Sequence, residues 1–94
     1  MPLVINLYGY VIYFWSAEMS GGSLEPVHVH VAKKQSPMGT KFWITKSGKV
    51  VLCHNRSRIP SKTLKYIQAY LQANVQSIIA KWVSHFGEYT LKDD

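Results

Sequence analysis

The sequence predicts an α+β domain: a small, mostly antiparallel sheet of three to four strands, covered on one face by a long C-terminal helix. Three observations carry that prediction. Val27-His28-Val29-His30-Val31 alternates strictly between apolar and polar, the period of a strand with one buried face. Lys41–Thr45 and Lys49–Cys53 flank Lys46-Ser47-Gly48, a short connection with glycine where a left-handed backbone is wanted. From Leu64 to Phe86, apolar residues return at steps of three and four, as on a helix face packed against a sheet. The 94 residues make a single domain, 1–94, without repeats.

Leu3-Val4-Ile5 reads as an early strand or a packed arm. Tyr10–Trp15, aromatic and β-branched, reads as a strand. Left on an exposed sheet edge, it would pair with a second copy, so a homodimer is among the expected partners. Residues 16–24 contain Ser20-Gly21-Gly22-Ser23 and no apolar pattern, which predicts a flexible loop. In the Val27–Val31 strand the valines are expected to face the helix, turning His28 and His30 to the open face or the rim. Lys33–Thr40, with Pro37 and Gly39, is a loop. In the hairpin, Phe42 and Ile44 share one face, with Trp43 opposite. His54–Arg58 is a basic connection into the helix, whose N-cap is Ser61 unless Pro60 already sits in the first turn. At about 25 residues the helix would run about 37 Å, long enough to expect a bend near Asn74. Gly87 stops it, and 88–94 is a short polar tail.

Between Pro26 and Gly87 the chain carries ten lysines and arginines and all four histidines, but no aspartate or glutamate. The carboxylates are Glu18, Glu25, Glu88, Asp93 and Asp94. One-sign charge over so long a stretch attracts anions. It also argues against carboxylate-dependent catalysis, two-metal hydrolysis included, at any site built within it. A net charge of +6 directs attention to nucleic acid, nucleotides, a membrane surface or an acidic protein. The longest apolar run, Leu7–Trp15, is too short to span a bilayer, and no positive charge precedes the first apolar residues as in a secretory leader. Cys53, the single cysteine, forms no intrachain disulfide and lies in an apolar run, which predicts a buried, inert thiol. A cytoplasmic location is expected, with no membrane partner.

His28 and His30 put their imidazoles on one strand face, about 6–7 Å apart at the backbone. Two such rings hold a metal only with a third ligand. His54, Cys53 and Glu25 are the candidates, and none has ligand-motif spacing, so neither metal nor cofactor is expected. Arg56 and Arg58 sit just before the helix N-terminus, where free amides favour anions and guanidinium forks grip phosphate. With His54, Asn55, Ser57 and Ser61 they read as a phosphate-recognition turn. Tyr8, Tyr10, Tyr13, Trp15 and Trp43 would stack on bases where exposed. Tyr13 and Trp43 are the two retained, whereas Tyr66, Tyr70 and Trp82 belong to the helix, Trp82 within its buried stripe. The candidate ligand-binding set is therefore His28, His30, His54, Asn55, Arg56, Arg58, Ser61, Tyr13 and Trp43. In a ribonuclease, His28 and His30 would be the acid–base pair, with Arg56 or Arg58 clamping the phosphate. A binding module needs the same side chains, so the residues leave turnover open.

An aromatic-rich strand, a polar loop and then Pro26-Val27-His28-Val29-His30 resembles the bacterial domain-of-unknown-function family 4160. The likeness continues through Phe42-Trp43-Ile44-Thr45-Lys46-Ser47-Gly48, Asn55-Arg56-Ser57-Arg58-Ile59-Pro60 and the helix with Trp82, covering residues 10–86. The resemblance implies a small α+β domain of bacteria and their phages, often encoded beside a small partner and suspected of toxin–antitoxin roles. It brings no settled reaction. The expected function is to bind an anionic, phosphate-bearing ligand, RNA or a nucleotide, as a toxin–antitoxin-like component. Two alternatives are a non-enzymatic phage or mobile-element inhibitor that captures a nucleotide signal or blocks a host defence protein, and a module whose basic surface meets an acidic protein.

Overall fold

A computed structural model describes residues 4–15, 19–20 and 23–94. Strand β1 (Val4–Leu7) pairs with β2 (Tyr10–Tyr13) through a two-residue turn, Tyr8-Gly9, with φ of 53° and 82°. Both centres are left-handed, as the twist of a tight hairpin requires. Glycine adopts that region freely, whereas a tyrosine there costs about 1–2 kcal/mol. Strands β3 (Met19–Ser20) and β4 (Ser23–Leu24) form a separate two-stranded ribbon. Next come β5 (His28–Ala32), β6 (Thr40–Ile44) and β7 (Val50–His54). The main sheet is antiparallel throughout, in the order β1-β2-β5-β6-β7.

Three expectations for the sheet and its flanking loop change. The sheet has five strands rather than three or four, because the Leu3-Val4-Ile5 segment, left open as a strand or a packed arm, contributes Val4 and Ile5 to β1, which pairs with β2. Strand β2 lies between β1 and β5, so the Tyr10–Trp15 segment is not an open edge for a second copy; the edges are β1 and β7. The 16–24 loop contains the β3–β4 ribbon, while residues 16–18 and 21–22 lie outside the described residues.

The helix is two helices, α1 (Ser61–Ala73) and α2 (Val75–Phe86). Asn74, at φ −120° and ψ 19°, breaks them at the expected bend, and its side-chain amide donates to the Tyr70 carbonyl at 2.7 Å. Asparagine favours such a break because its side chain satisfies a carbonyl that the helix no longer uses. Gly87, at φ 86°, ends α2 with its N–H on the Val83 carbonyl. Pro60 precedes the first helical residue, Ser61, and no side chain caps α1.

The core lies between one sheet face and the helices. Ile12, Val27, Val29, Val31, Phe42 and Ile44 meet Ile67, Leu71, Ile78 and Trp82, so the valines of β5 face the helices as their alternation predicts. The outer edge of β7 is covered by α1. Gln72 accepts the Val50 N–H (2.9 Å) and donates to the Gly48 carbonyl (2.7 Å), while Gln68 donates to the Val50 carbonyl (2.9 Å). Cys53, farther along β7, is exposed rather than buried. The register shift between Lys41 and Phe42 leaves it without a partner residue on β6, on an edge strand.

The C-terminal tail is a docked strap. Thr90 accepts the Val27 N–H, Lys92 pairs in parallel with Thr45, and Asp93 meets Lys46 at 2.6 Å. No helix among the described residues is long and apolar enough to cross a membrane.

Candidate functional site

Antiparallel register aligns Tyr13, His30, Lys41 and His54 across four neighbouring strands, on the sheet face opposite the valines. His28 and Trp43 form the next rank. The three histidines singled out from the sequence are thus brought onto one face. That face is not open, however: His28 is 0% and His30 2% exposed.

Local geometry explains the burial. The His30 Nδ1–H donates to the Gly39 carbonyl at 3.0 Å, and its ring stacks on Tyr13 at 5.6 Å. The Tyr13 hydroxyl donates to the Ser36 carbonyl (2.6 Å) and accepts the Ser36 N–H (2.9 Å). The 33–39 loop is thereby pinned over the face. Gly39 is required there, since a Cβ would lie 2.2 Å from the Tyr13 hydroxyl. The His28 Nδ1–H donates to the Pro26 carbonyl (2.8 Å), and its ring packs edge-on against Trp43 and Trp82, each at about 5 Å. A carbonyl oxygen only accepts, so both imidazoles carry a proton on Nδ1. The expected open-face position of His28 and His30 is corrected on these grounds, and Tyr13, a stacking candidate, is buried with them. Trp43 is half-buried, with the Lys41 and Lys92 ammonium groups over its ring at 4.2 and 5.1 Å. Beside it a hollow of about 320 Å³ is walled by two lysines, Lys49 and Lys92, as well as by Asp93 and Asp94.

The turn after β7 is built as a lock. Asn55 Oδ1 accepts from the Thr40 hydroxyl (2.8 Å) and the Ile59 N–H (3.0 Å), and its Nδ2 donates to the Ile59 carbonyl (2.9 Å). Ser57 donates its hydroxyl to the Val31 carbonyl (3.1 Å), and its N–H to the Thr40 hydroxyl (3.1 Å). Asn55 and Ser57 therefore spend their polar groups on the fold. Arg56 and Arg58 are left exposed by the same lock, Arg58 at a φ of 54° and the Arg56 guanidinium 4.0 Å from the Met38 sulfur. Ser61 is exposed at the start of α1. His54 is half-buried, and its Nδ1 accepts the Arg56 N–H at 3.3 Å. Burial, followed by the nearby positive charges of which Arg56 is the largest, holds its pKa below the usual histidine value.

Thr40 stitches the 33–39 loop to this turn, gathering Lys33, Lys34, Arg56, Arg58 and the first turn of α1 at one end of the sheet. There, Lys33, Lys34, Arg56, Arg58, Lys62 and Lys65 are all exposed and make no ion pair with any described residue. The pairs formed by described carboxylates lie elsewhere, Glu25 with Lys41 (3.0 Å) and Asp93 with Lys46. No three His, Cys, Asp or Glu side chains among the described residues come together as a metal site.

From the sequence, Tyr8 is named as a stacking residue where exposed but is not retained, and Tyr66 is left to the helix. Tyr8 and Tyr66 are exposed with their rings 5.7 Å apart. Two signals were present: an X-Gly pair between apolar runs, and a tyrosine at a helix position outside the Leu64–Ile67–Leu71 stripe.

No curated protein and no solved structure matches the chain significantly. A family model, Domain of unknown function (DUF4160), matches residues 9–83, from the Tyr8-Gly9 turn through the buried stripe of α2. With well over half its length matched, the chain belongs to the DUF4160 family.

Proposed function

We propose that this protein binds RNA through its basic sheet end, as one member of a toxin–antitoxin-like bacterial or phage pair. The observation that carries the reading is the collection of exposed cations on the 33–39 loop, the 55–59 turn and the start of α1 that form no ion pair with a described residue, while the described ion-paired carboxylates sit elsewhere. Guanidinium forks at Arg56 and Arg58 suit bidentate phosphate contacts, and the lock formed by Asn55, Ser57 and Thr40 holds their backbone in place beforehand. Burial of His28 and His30 favours binding over acid–base cleavage in this conformation.

Titrating labelled RNA at several salt concentrations tests the reading. Binding should weaken linearly in log–log form, and the pair Arg56→Ala and Arg58→Ala should lower the slope by about 1.4, two phosphate contacts on a single strand. Stabilisation by a small nucleotide with no RNA binding would instead indicate nucleotide capture, and an unchanged slope in the double variant would remove Arg56 and Arg58 from the interface. Isolation from the native host identifies whether RNA or a small protein accompanies the chain.

A further inference from the structure

Tyr8 is 59% exposed and Tyr66 51% exposed, and their rings lie 5.7 Å apart with planes inclined at 35°. Neither ring serves the core. Tyr8 also holds a left-handed φ of 53° that asparagine or glycine adopts with less strain. Strain kept at an exposed position points to use rather than stability. The described charges beside Tyr66 on the helix, and the one at the neighbouring end of β5, are positive. Lys62 lies one turn before Tyr66 on α1, Lys65 is its neighbour, and the Lys33 ammonium stands 6.0 Å from the ring of Tyr10, just past the Tyr8-Gly9 turn. Helical side chains lean toward the N-terminus, so Tyr66 covers the turn that carries Lys62. An aromatic surface bordered by ammonium groups matches unpaired bases and their phosphates; a duplex keeps its base faces stacked away.

We infer that the Tyr8–Tyr66 pair is a base-stacking platform for single-stranded RNA, with Lys33, Lys62 and Lys65 meeting the flanking phosphates. The inference rests on the RNA-binding reading above and extends it from charge to strandedness. It also gives the strained tyrosine a purpose that fold stability does not.

The test is fluorescence anisotropy with an unstructured RNA of about ten nucleotides, within the range of single-strand site sizes, and with the same sequence as a duplex. Wild type should prefer the single strand. Tyr66→Ala and Tyr8→Asn should each bind it about tenfold more weakly, as expected for one lost base stack, with the salt slope unchanged. Tyr8→Asn creates an Asn-Gly turn and should also melt at a higher temperature than wild type. Weaker binding by a more stable protein excludes a folding defect. If both variants bind the single strand as tightly as wild type, or wild type prefers the duplex, the platform is overturned while the Arg56–Arg58 reading stands. If wild type binds neither RNA, both fall.

Discussion

Gly39→Ala probes the device that closes the histidine face. The added Cβ would lie 2.2 Å from the Tyr13 hydroxyl, 3.2 Å from its Cζ and 3.3 Å from the His30 Cβ. Tyr13 is fully buried, so its ring cannot swing aside, and the loop must lift instead. Lifting strains the hydrogen bonds between Tyr13 and Ser36 (2.6 and 2.9 Å) and the His30–Gly39 bond (3.0 Å). The backbone shift and strained contacts of an overpacked site together cost about 1–3 kcal/mol, and with three bonds affected the upper value of about 3 kcal/mol is expected. Tyr13→Phe removes the hydroxyl and should cost about 2 kcal/mol by itself, for the two bonds to Ser36. In the double variant the closest clash is gone, leaving the tighter-than-usual Cζ contact. The double variant should therefore lose about 3 kcal/mol instead of the additive 5, a coupling of about 2 kcal/mol measurable by urea denaturation of the four proteins. Additivity to within about 0.5 kcal/mol would refute the proposed closure.

Two further outcomes follow from the turn beyond β7. Asn55→Ala removes three hydrogen bonds to Thr40 and Ile59 and should destabilise by about 2–3 kcal/mol in the same assay; a loss below about 0.5 kcal/mol would show that the lock is dispensable. His54 has a folded-state pKa below its ordinary 6.5, so the unfolded chain takes up the proton more readily. Its contribution is therefore intact above pH 6.5 and declines as the pH falls below that value. His54→Asn keeps an acceptor for the Arg56 amide and should flatten that limb of the stability–pH curve relative to wild type. A limb equally steep in both proteins would assign the dependence to other groups.

Much of the architecture was legible because it depends on local chemistry. Gly48 marked the β6–β7 hairpin, the three-and-four spacing marked the helical stripe, and Asn74 marked its break. The alternation of Val27–Val31 correctly divided two faces, but alternation is silent about what covers the second one. Its cover comes from Ser36 and Gly39, whose contacts with Tyr13 span 23 residues for the Tyr13–Ser36 bonds, a separation no local pattern encodes. The rank Tyr13–His30–Lys41–His54 likewise follows from register among four strands. Arg56 and Arg58 were found where expected, since composition alone exposes a guanidinium. Asn55 and Ser57 were read as ligand donors because their types suit phosphate as well as they suit Thr40 and Ile59. The Tyr8-Gly9 turn was lost inside an aromatic run, since tyrosine is a poor predictor of a left-handed turn.

The glutamines along β7 bear on how this protein reaches its native state. A primary amide offers the same donor and acceptor as a peptide group, so Gln68 and Gln72 stand in for part of a sixth strand at Val50 and Gly48. That seal exists only once α1 has docked. Before then, an early β6–β7 hairpin would present the unpaired edge, with Val51 and Leu52 beside it, to any other chain in solution. Refolding yield should consequently fall with protein concentration more steeply for Gln68→Ala and Gln72→Ala together than for wild type. Helix docking would then decide the race between folding and association, before any ligand is met.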